Sequence, residues 1–277
     1  MNKLFNGALA LLMALSTTNM MAQEKKMPTY ADFMSGSGRA GQAMASINGL
    51  QWWGDLYLLV DGNNLTATNP KTGKTNTLTT LDDVNKALSA AGVGEVRQLS
   101  GQALWSDKPW MLITAPGNYV VYDWQTKQVV RQTKTQQRGG RADYNKESGH
   151  VAYSVGNNLY VNDKAISNEP EGILVGQSVH RNEFGINKGT FWSPKGNLLA
   201  YYRMDESMVT EYPLVNINTR IAEETPVRYP MAGMTSHKVW VGVYNVATGK
   251  NIFLDAGDPT DRYFTNISWA PDEKSIY

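Results

Sequence analysis

Short apolar stretches alternate with turn-forming residues along most of the chain after about residue 50. The stretches are six to nine residues long, are rich in Val, Ile, Leu and Tyr, and are separated by turns that contain Gly, Pro, Asn or Asp, which is typical of antiparallel strands. A single segment, Thr80–Gly92, has helical periodicity: Thr80 or Asp82 is placed to cap it, Val84 and Leu88 share a face with Ala91, and Gly92 ends it. The predicted strands are DLYLLV (55–60), PWMLITA (109–115), NYVVYDW (118–124), GHVAYSV (149–155), NLYVND (158–163), NLLAYYRM (197–204), KVWVGVYNV (238–246) and NIFLDAG (251–257).

Two sequence themes recur among these strands. In the first, an aromatic residue precedes a turn and a strand, as in WSPKGNLLAYY at Trp192, WAPDEKSIY at Trp269, YNKESGHVAYS at Tyr144 and, more loosely, LWSDKPWMLI at Trp105. In the second, a strand, a hairpin and a return strand follow each other, as in YDWQTKQVV, YNVATGKNIFL and TNPKTGKTNTL. Repeats of about 40–50 residues with four short strands each predict the blades of an all-β propeller, and a β-sandwich is the main alternative.

The number of repeats bears on domain organisation. We count about four blades and the start of another, and the last strand stops at Tyr277 directly after a blade-opening motif. A ring needs its last blade to close on its first, because open sheet edges invite association. We therefore expect a partial propeller over residues 47–277, truncated at its C-terminus.

The N-terminal region has a different pattern. Residues 1–22 combine Lys3, an apolar stretch too short to cross a bilayer and a small residue, Ala22, which together predict a signal peptide. A polar segment follows over residues 23–46, with one possible helical piece at Tyr30–Met34. No later apolar run is long enough to span a membrane. We expect an exported protein that is periplasmic, bound at the cell surface or secreted.

Composition and charge exclude several classes of function. Lys and Arg number 26 against 25 Asp and Glu, for a net charge of +1, so no basic surface indicates nucleic acid. The chain has no cysteine, which excludes disulfides, thiolate metal sites and a Cys nucleophile. His150, His180 and His237 lack the spacing of metal ligands and are interpreted as surface or blade-edge residues. GSGRAG (36–41) has the letters of a dinucleotide-binding motif but follows no strand, so we interpret it as a loop. We therefore predict no cofactor, and the spacing of the histidines predicts no metal site.

The chain also lacks a recognisable hydrolytic nucleophile. No Ser has Gly at both the −2 and +2 positions of a nucleophile elbow, and the nearest match, GQSVH (176–180), fails at its last position. The carboxylates Asp205 and Glu206 follow a strand, and we interpret them as structural partners of Arg203. We predict no catalytic residue in this chain.

One carboxylate is unusual in its surroundings. In HRNEFGINKGTFWSPKG (180–196), Glu183 lies between a polar pair and an apolar run, immediately before a predicted strand. A salt bridge to Arg181 or Lys188 would explain it. The alternative is that Glu183 binds a cation supplied by a ligand.

Three segments carry a resemblance to a known family: 182–209, 228–250 and TNISWAPDE (265–273). They resemble the propeller domain of the dipeptidyl peptidase IV family, serine exopeptidases of the prolyl oligopeptidase clan, and are most similar to the bacterial prolyl tripeptidyl aminopeptidase branch. The resemblance is dense from about Val179 to Tyr277. It implies an eight-bladed propeller that covers an α/β-hydrolase domain absent from this chain. It also implies that Glu183 binds the free α-ammonium of a peptide, with Asn182 hydrogen-bonding nearby.

Two departures from the family pattern limit the resemblance. Dipeptidyl peptidase IV has two adjacent glutamates here, whereas this chain has Asn182 before Glu183, which is similar to the tripeptidyl branch. The arginine that reaches the substrate from an early blade has no counterpart near 119–124, and its role is not transferred to Arg138 or Arg141.

The family also implies that the insertion Glu211–Met231 is an arm that contributes to a homodimer, although an ordinary long hairpin explains it nearly as well.

The sequence thus predicts the N-terminal, substrate-gating propeller of an exported serine exopeptidase that removes di- or tripeptides, with proline near the cut. Its partner would be a peptide with a free N-terminus, and the chain alone would be inactive. A propeller that only binds a protein or a glycan is the alternative.

Overall fold

The structure is a computed structural model that describes residues 30, 49–136, 139–259 and 262–277. The predicted signal peptide and, apart from Tyr30, the predicted polar segment lie outside the described residues. Residues Gly49–Tyr277 form one compact unit. The domain boundaries drawn from the sequence stay predictions.

Three four-stranded sheets follow one another along the first part of this unit. In each sheet, every strand pairs antiparallel with the next strand in the chain. The first sheet contains β1 (Gln51–Trp53), β2 (Leu56–Val60), β3 (Asn64–Thr68) and β4 (Thr75–Thr80); the second contains β5 (Ala103–Leu104), β6 (Trp110–Ala115), β7 (Asn118–Asp123) and β8 (Gln128–Lys134); the third contains β9 (Gly140–Tyr144), β10 (Val151–Val155), β11 (Asn158–Val161) and β12 (Lys164–Ala165).

The fourth sheet has a divided inner strand. Two short strands pair with the same long neighbour, and an insertion with two small two-stranded sheets separates that neighbour from the next strand. The sheet contains β13 (Ile173–Val175), β14 (Thr190–Trp192), β15 (Leu198–Asp205), β20 (Lys238–Asn245) and β21 (Asn251–Phe253); the insertion contains β16 (Glu211–Tyr212), β17 (Val215–Asn216), β18 (Glu223–Glu224) and β19 (Val227–Arg228).

The buried core lies between successive sheets. One apolar cluster joins the first two sheets and includes Leu58, Leu65 and Met111. A second cluster joins the third and fourth sheets through Leu159 and Tyr201. Because each four-stranded meander buries its faces against its neighbours in chain order, the predicted propeller blades are confirmed and the sandwich, which would split consecutive strands between two sheets, is wrong.

The one predicted helix is α1 (Leu81–Ala90). The Thr80 hydroxyl accepts from the Asp83 amide, while the Asp83 carboxylate accepts from the Thr80 amide, a reciprocal capping box. Val84 and Leu88 are fully buried against the first two sheets. The expected cap and apolar face are confirmed, and of the two candidates for the cap, Thr80 is the one used.

The repeated aromatic positions connect neighbouring blades. The Trp192 indole donates to the carbonyl oxygen of Asp143 at 2.8 Å, and the Trp269 indole donates to that of Phe191 at 2.9 Å. Asp143 and Phe191 each directly precede the aromatic residue of the preceding repeat. Each indole therefore ties the start of one blade to the equivalent point of the blade before it. Trp269 also forms an isolated bridge with Ile276.

The predicted pairing of Arg203 with Asp205 or Glu206 is wrong. The Arg203 guanidinium binds the Glu169 carboxylate through two nitrogens, at 2.7 and 3.1 Å. Asp205 instead accepts from the hydroxyl of Ser207 at 2.6 Å. Asp205 is engaged by the backbone amide and hydroxyl of Ser207, whereas Glu169, which precedes β13, meets two nitrogens of the guanidinium fork at once.

Candidate functional site

The candidate site lies on a loop that interrupts the inner strand of the fourth sheet. The loop leaves β13 and returns in β14, and both strands pair with β15. One residue of β15 closes the loop at both ends: the Tyr202 carbonyl accepts from the Gly176 amide at 2.8 Å, and the Tyr202 amide donates to the Gly189 carbonyl at 3.0 Å. Residues 177–188 therefore project from a fixed point of the sheet.

The neck of this loop, where Gly176 and Gly189 both hydrogen-bond to the Tyr202 backbone, requires glycine. A Cβ atom on Gly189 would clash with the backbone carbonyl of Gln177, on the opposite side of the neck. Gly176 has φ +71° and packs against Leu159 of the neighbouring blade. The two halves of the loop therefore approach each other more closely than any side chain permits.

Left-handed backbone conformations dominate the tip of the loop. His180, Arg181, Asn182 and Phe184 have φ between 51° and 60°, while Glu183 is extended, with φ −67° and ψ 159°. A non-glycine residue in this region costs free energy, and such residues cluster at sites where the surrounding structure enforces them. The backbone of the tip is thus held in a costly shape around Glu183.

The Glu183 carboxylate has a partner on each oxygen. Oε1 accepts from the Arg181 guanidinium at 3.3 Å, and Oε2 accepts from the Tyr263 hydroxyl at 3.4 Å. The side chain is nevertheless 43% exposed. The salt bridge to Arg181 that the sequence offered as the simple explanation is present, whereas the other candidate, Lys188, pairs with Asp143 at 3.1 Å.

Asn182 is engaged within the loop. Its side-chain amide contacts the Ser178 hydroxyl, which also donates to the Ile186 carbonyl at 2.7 Å. The loop is therefore closed by side chains as well as by the neck. The hydroxyl of Ser178, the nearest sequence match to a nucleophile elbow, serves this structural purpose.

Two histidines, His180 of this loop and His237 of the segment before β20, pack together in a buried contact, contrary to the prediction that they are surface or blade-edge residues. His180 is 3% and His237 is 9% exposed, and His237 Nε2 lies 2.9 Å from His180 Nδ1. Burial, then the neighbouring His237 and Arg181, lower the pKa of His180 to about 4, and burial lowers the pKa of His237. The pair is therefore neutral at neutral pH. Their separation of 57 residues gave the sequence no signal for this contact.

Two cavities flank the loop. One of about 110 Å³ is lined by Phe184, Ile186 and Tyr202 among others. The other, of about 270 Å³, is lined by Arg141, Asp143 and Lys188 among others. Arg138 lies outside the described residues. Loop residues that follow Glu183 thus line two partly open cavities, and Glu183 itself lines neither of the two.

Within the described ranges, no three His, Asp or Glu side chains converge as metal ligands would. In the same part of the chain, no helix is long and apolar enough to cross a membrane.

Known proteins resemble this chain in sequence and in structure. The family model described as the dipeptidyl peptidase IV N-terminal region matches residues 108–277. A dipeptidyl-aminopeptidase B of Ajellomyces capsulatus is 29% identical over 188 residues, which cover 58% of this chain and 20% of that protein. This chain therefore spans about a fifth of the length of that curated relative.

Two solved structures share the fold. A dipeptidyl aminopeptidase IV of Bacteroides ovatus matches with a TM-score of 0.76 and 58% identity, over 84% of this chain and 33% of that one. Porphyromonas gingivalis dipeptidyl peptidase 4 matches with a TM-score of 0.60 and 19% identity, over 86% of this chain and 37% of that one, which shows the fold alone. The family model covers more than half of the chain, and the chain therefore belongs to the dipeptidyl peptidase IV family, within its N-terminal region.

Proposed function

We propose that this chain is the substrate-gating propeller of an exported serine exopeptidase, in which Glu183 binds the α-ammonium of the peptide. The observation that carries the proposal is an accessible carboxylate on a loop whose backbone is fixed at both ends by Tyr202. An ammonium and a carboxylate form a charge-assisted hydrogen bond, about twice as strong as a neutral one. An internal peptide segment has no such cation and would leave the carboxylate unpaired.

The Arg181 contact leaves room for this ligand. A carboxylate has about four acceptor sites, and the described contacts of Glu183 use two of them. An exposed pair such as Arg181 with Glu183 contributes only about 0–1 kcal/mol, so a substrate ammonium can share or displace the guanidinium. Asn182 would lie beside the ammonium and accept from it through the second lone pair of Oδ1, the atom that also contacts the Ser178 hydroxyl.

The catalytic groups would lie in the rest of the full-length protein, since this chain spans about a fifth of its curated relative. The named relatives are dipeptidyl enzymes, which favours release of dipeptides. The single carboxylate at 182–183 favours the tripeptidyl branch. We propose release of di- or tripeptides by cleavage after proline, and product analysis of the full-length enzyme on a proline-containing tetrapeptide separates the two lengths.

A propeller that only binds a protein or a glycan is the competing function. The membership in a peptidase family favours the enzyme. The strained tip around Glu183 also favours a small charged ligand over a broad docking surface, because such strain accompanies positioning of particular groups.

The test is Glu183→Gln in the full-length enzyme, assayed with Ala-Pro- and Ala-Ala-Pro-p-nitroanilide and their N-acetylated forms. Loss of a hydrogen bond to a charged group costs about 1.5–3 kcal/mol, which is about a 10- to 150-fold fall in kcat/KM for the free-amine substrates. The acetylated substrates, which lack the cation, should be cleaved poorly and equally by both enzymes.

Glu171→Gln is the matched control, because Glu171 is exposed and lies outside the loop that carries Glu183. It should leave kcat/KM unchanged. Equal rates for wild type and Glu183→Gln would refute the anchor, and a full-length protein without hydrolysis of any of these substrates would favour the binding module.

A further inference from the structure

The Glu183 carboxylate is contacted by a residue from a distant part of the chain. Tyr263 follows the last strand of the fourth sheet, 80 positions after Glu183, and its hydroxyl lies 3.4 Å from Oε2. The Tyr263 ring packs on the His180 imidazole, with 4.2 Å between ring centroids, and edge-on against Phe184 at 5.2 Å. The ring is thus held by residues on both sides of Glu183.

The Tyr263 ring packs on His180, which in turn packs on His237, and both of these histidines are buried. His180 contacts His237 through one ring nitrogen, and its other nitrogen, Nε2, is buried without a hydrogen-bond partner among the described residues. A buried polar atom without a partner costs about 1–3 kcal/mol, whereas an apolar side chain of similar size would pack there without that cost. A buried polar pair with such a cost calls for an explanation other than packing.

We propose that Tyr263, held in place by the His180–His237 pair, is a positioning residue that orients the Glu183 carboxylate for the peptide ammonium. This inference rests on the proposed function of Glu183. It assigns to Tyr263 the task of fixing the carboxylate before the substrate arrives.

The two partners of Glu183 differ in charge, and this difference supports the positioning role of Tyr263. Arg181 is a cation, so its contact with Oε1 opposes the approach of a second cation. The Tyr263 hydroxyl is a neutral donor, and a hydrogen bond from it fixes the direction of Oε2 while leaving the carboxylate its full negative charge. His180 and His237 add no positive charge near the ammonium site as long as they are neutral.

The experiment removes only the hydroxyl, with Tyr263→Phe in the full-length enzyme. The ring contacts with His180 and Phe184 are kept. We expect KM for Ala-Pro- or Ala-Ala-Pro-p-nitroanilide, whichever is the better substrate, to rise about 3- to 10-fold, in the range of one neutral hydrogen bond, with kcat within about twofold. Tyr160→Phe is the matched control, because the Tyr160 ring stacks on Tyr153 away from this loop; it should leave KM unchanged.

A double-mutant cycle distinguishes positioning from general structural damage. If Tyr263 acts through the Glu183 carboxylate, Tyr263→Phe should have no further effect in the Glu183→Gln background. A second variant, His180→Leu, should raise KM in the same selective way, with kcat retained.

The outcomes are separable from those of the proposed function. If Glu183→Gln raises KM but Tyr263→Phe does not, or if the two effects simply multiply, the positioning role is wrong and the anchor stands. If Glu183→Gln has no effect, the anchor itself is wrong and the positioning role falls with it.

Discussion

The Nε2 atom of His237 lies 2.9 Å from the Nδ1 atom of His180 in a buried contact between the loop that carries Glu183 and the segment that enters β20. A neutral pair can share one hydrogen between these nitrogens. A doubly protonated pair would place two donors and two charges face to face in a buried site. The contact is therefore stable only while at least one ring is neutral.

This contact predicts a loss of stability in mild acid. The pKa of His180 falls from 6.5 to about 4, chiefly through burial and secondarily through His237 and Arg181, while Glu183 opposes the shift. As the pH falls below 6.5, the unfolded chain takes up a proton that the folded protein does not. The contribution of neutral His180 to the free energy of unfolding is therefore full above pH 6.5 and is lost progressively between pH 6.5 and about pH 4. The shift corresponds to at most about 3 kcal/mol.

The measurement is the Tm of the full-length enzyme between pH 7.5 and pH 4.5, compared with the His180→Gln variant. Gln does not titrate but can still hydrogen-bond to His237. We expect a smaller fall in Tm between these pH values for the variant. An identical fall in both proteins would show that His180 is not the group whose protonation lowers the stability.

The neck of the loop makes a second prediction, for Gly189→Ala. The added Cβ would meet the Gln177 carbonyl, a backbone atom that cannot move without displacing the loop. Overpacking of this kind costs about 1–3 kcal/mol. We expect a lower Tm together with a lower kcat/KM. The control is Gly94→Ala, where the new Cβ has nothing within 4 Å, and we expect its Tm to equal that of the wild type. A Gly189→Ala enzyme with wild-type Tm and kcat/KM would contradict the close approach of the two sides of the neck.

The local patterns of the sequence predicted the blades well, because the signals of a strand and of a hairpin turn lie within a few consecutive residues. The strands around Trp192 and Tyr244 and the capped helix at Thr80 needed no knowledge of distant residues. The loop tip was predictable only in part. Glu183 stood out by its apolar surroundings, but the Glu183–Tyr263 contact joins residues 80 positions apart, and the His180–His237 contact joins residues 57 positions apart. No local pattern encodes such pairings, and the same reason explains why Glu169 was missed as the partner of Arg203.

The indole contacts between blades predict that Trp192→Phe is destabilising. Phe keeps much of the ring but removes the N–H that donates to the Asp143 carbonyl. An amide oxygen left without its partner in a half-buried site costs about 1–3 kcal/mol. Thermal unfolding should show a lower Tm for Trp192→Phe than for Trp52→Phe, where the side chain is largely exposed. Equal Tm values would mean that water replaces the indole donor at no cost.

We propose that the insertion Glu211–Met231 forms a homodimer contact, which can be broken without unfolding the protein. Its apolar side chains Ile217 and Ile221 are each 80% exposed, as expected of an interface that is uncovered in a single copy. Ile217→Asp would bury a charge in that interface and weaken the dimer by about 2 kcal/mol or more, which is about 30-fold in its Kd. Sedimentation of the full-length enzyme should show monomers at unchanged Tm. Ile252→Asp, at an exposed isoleucine outside the insertion, should stay dimeric. A dimer that survives Ile217→Asp combined with Ile221→Asp would place the contact elsewhere.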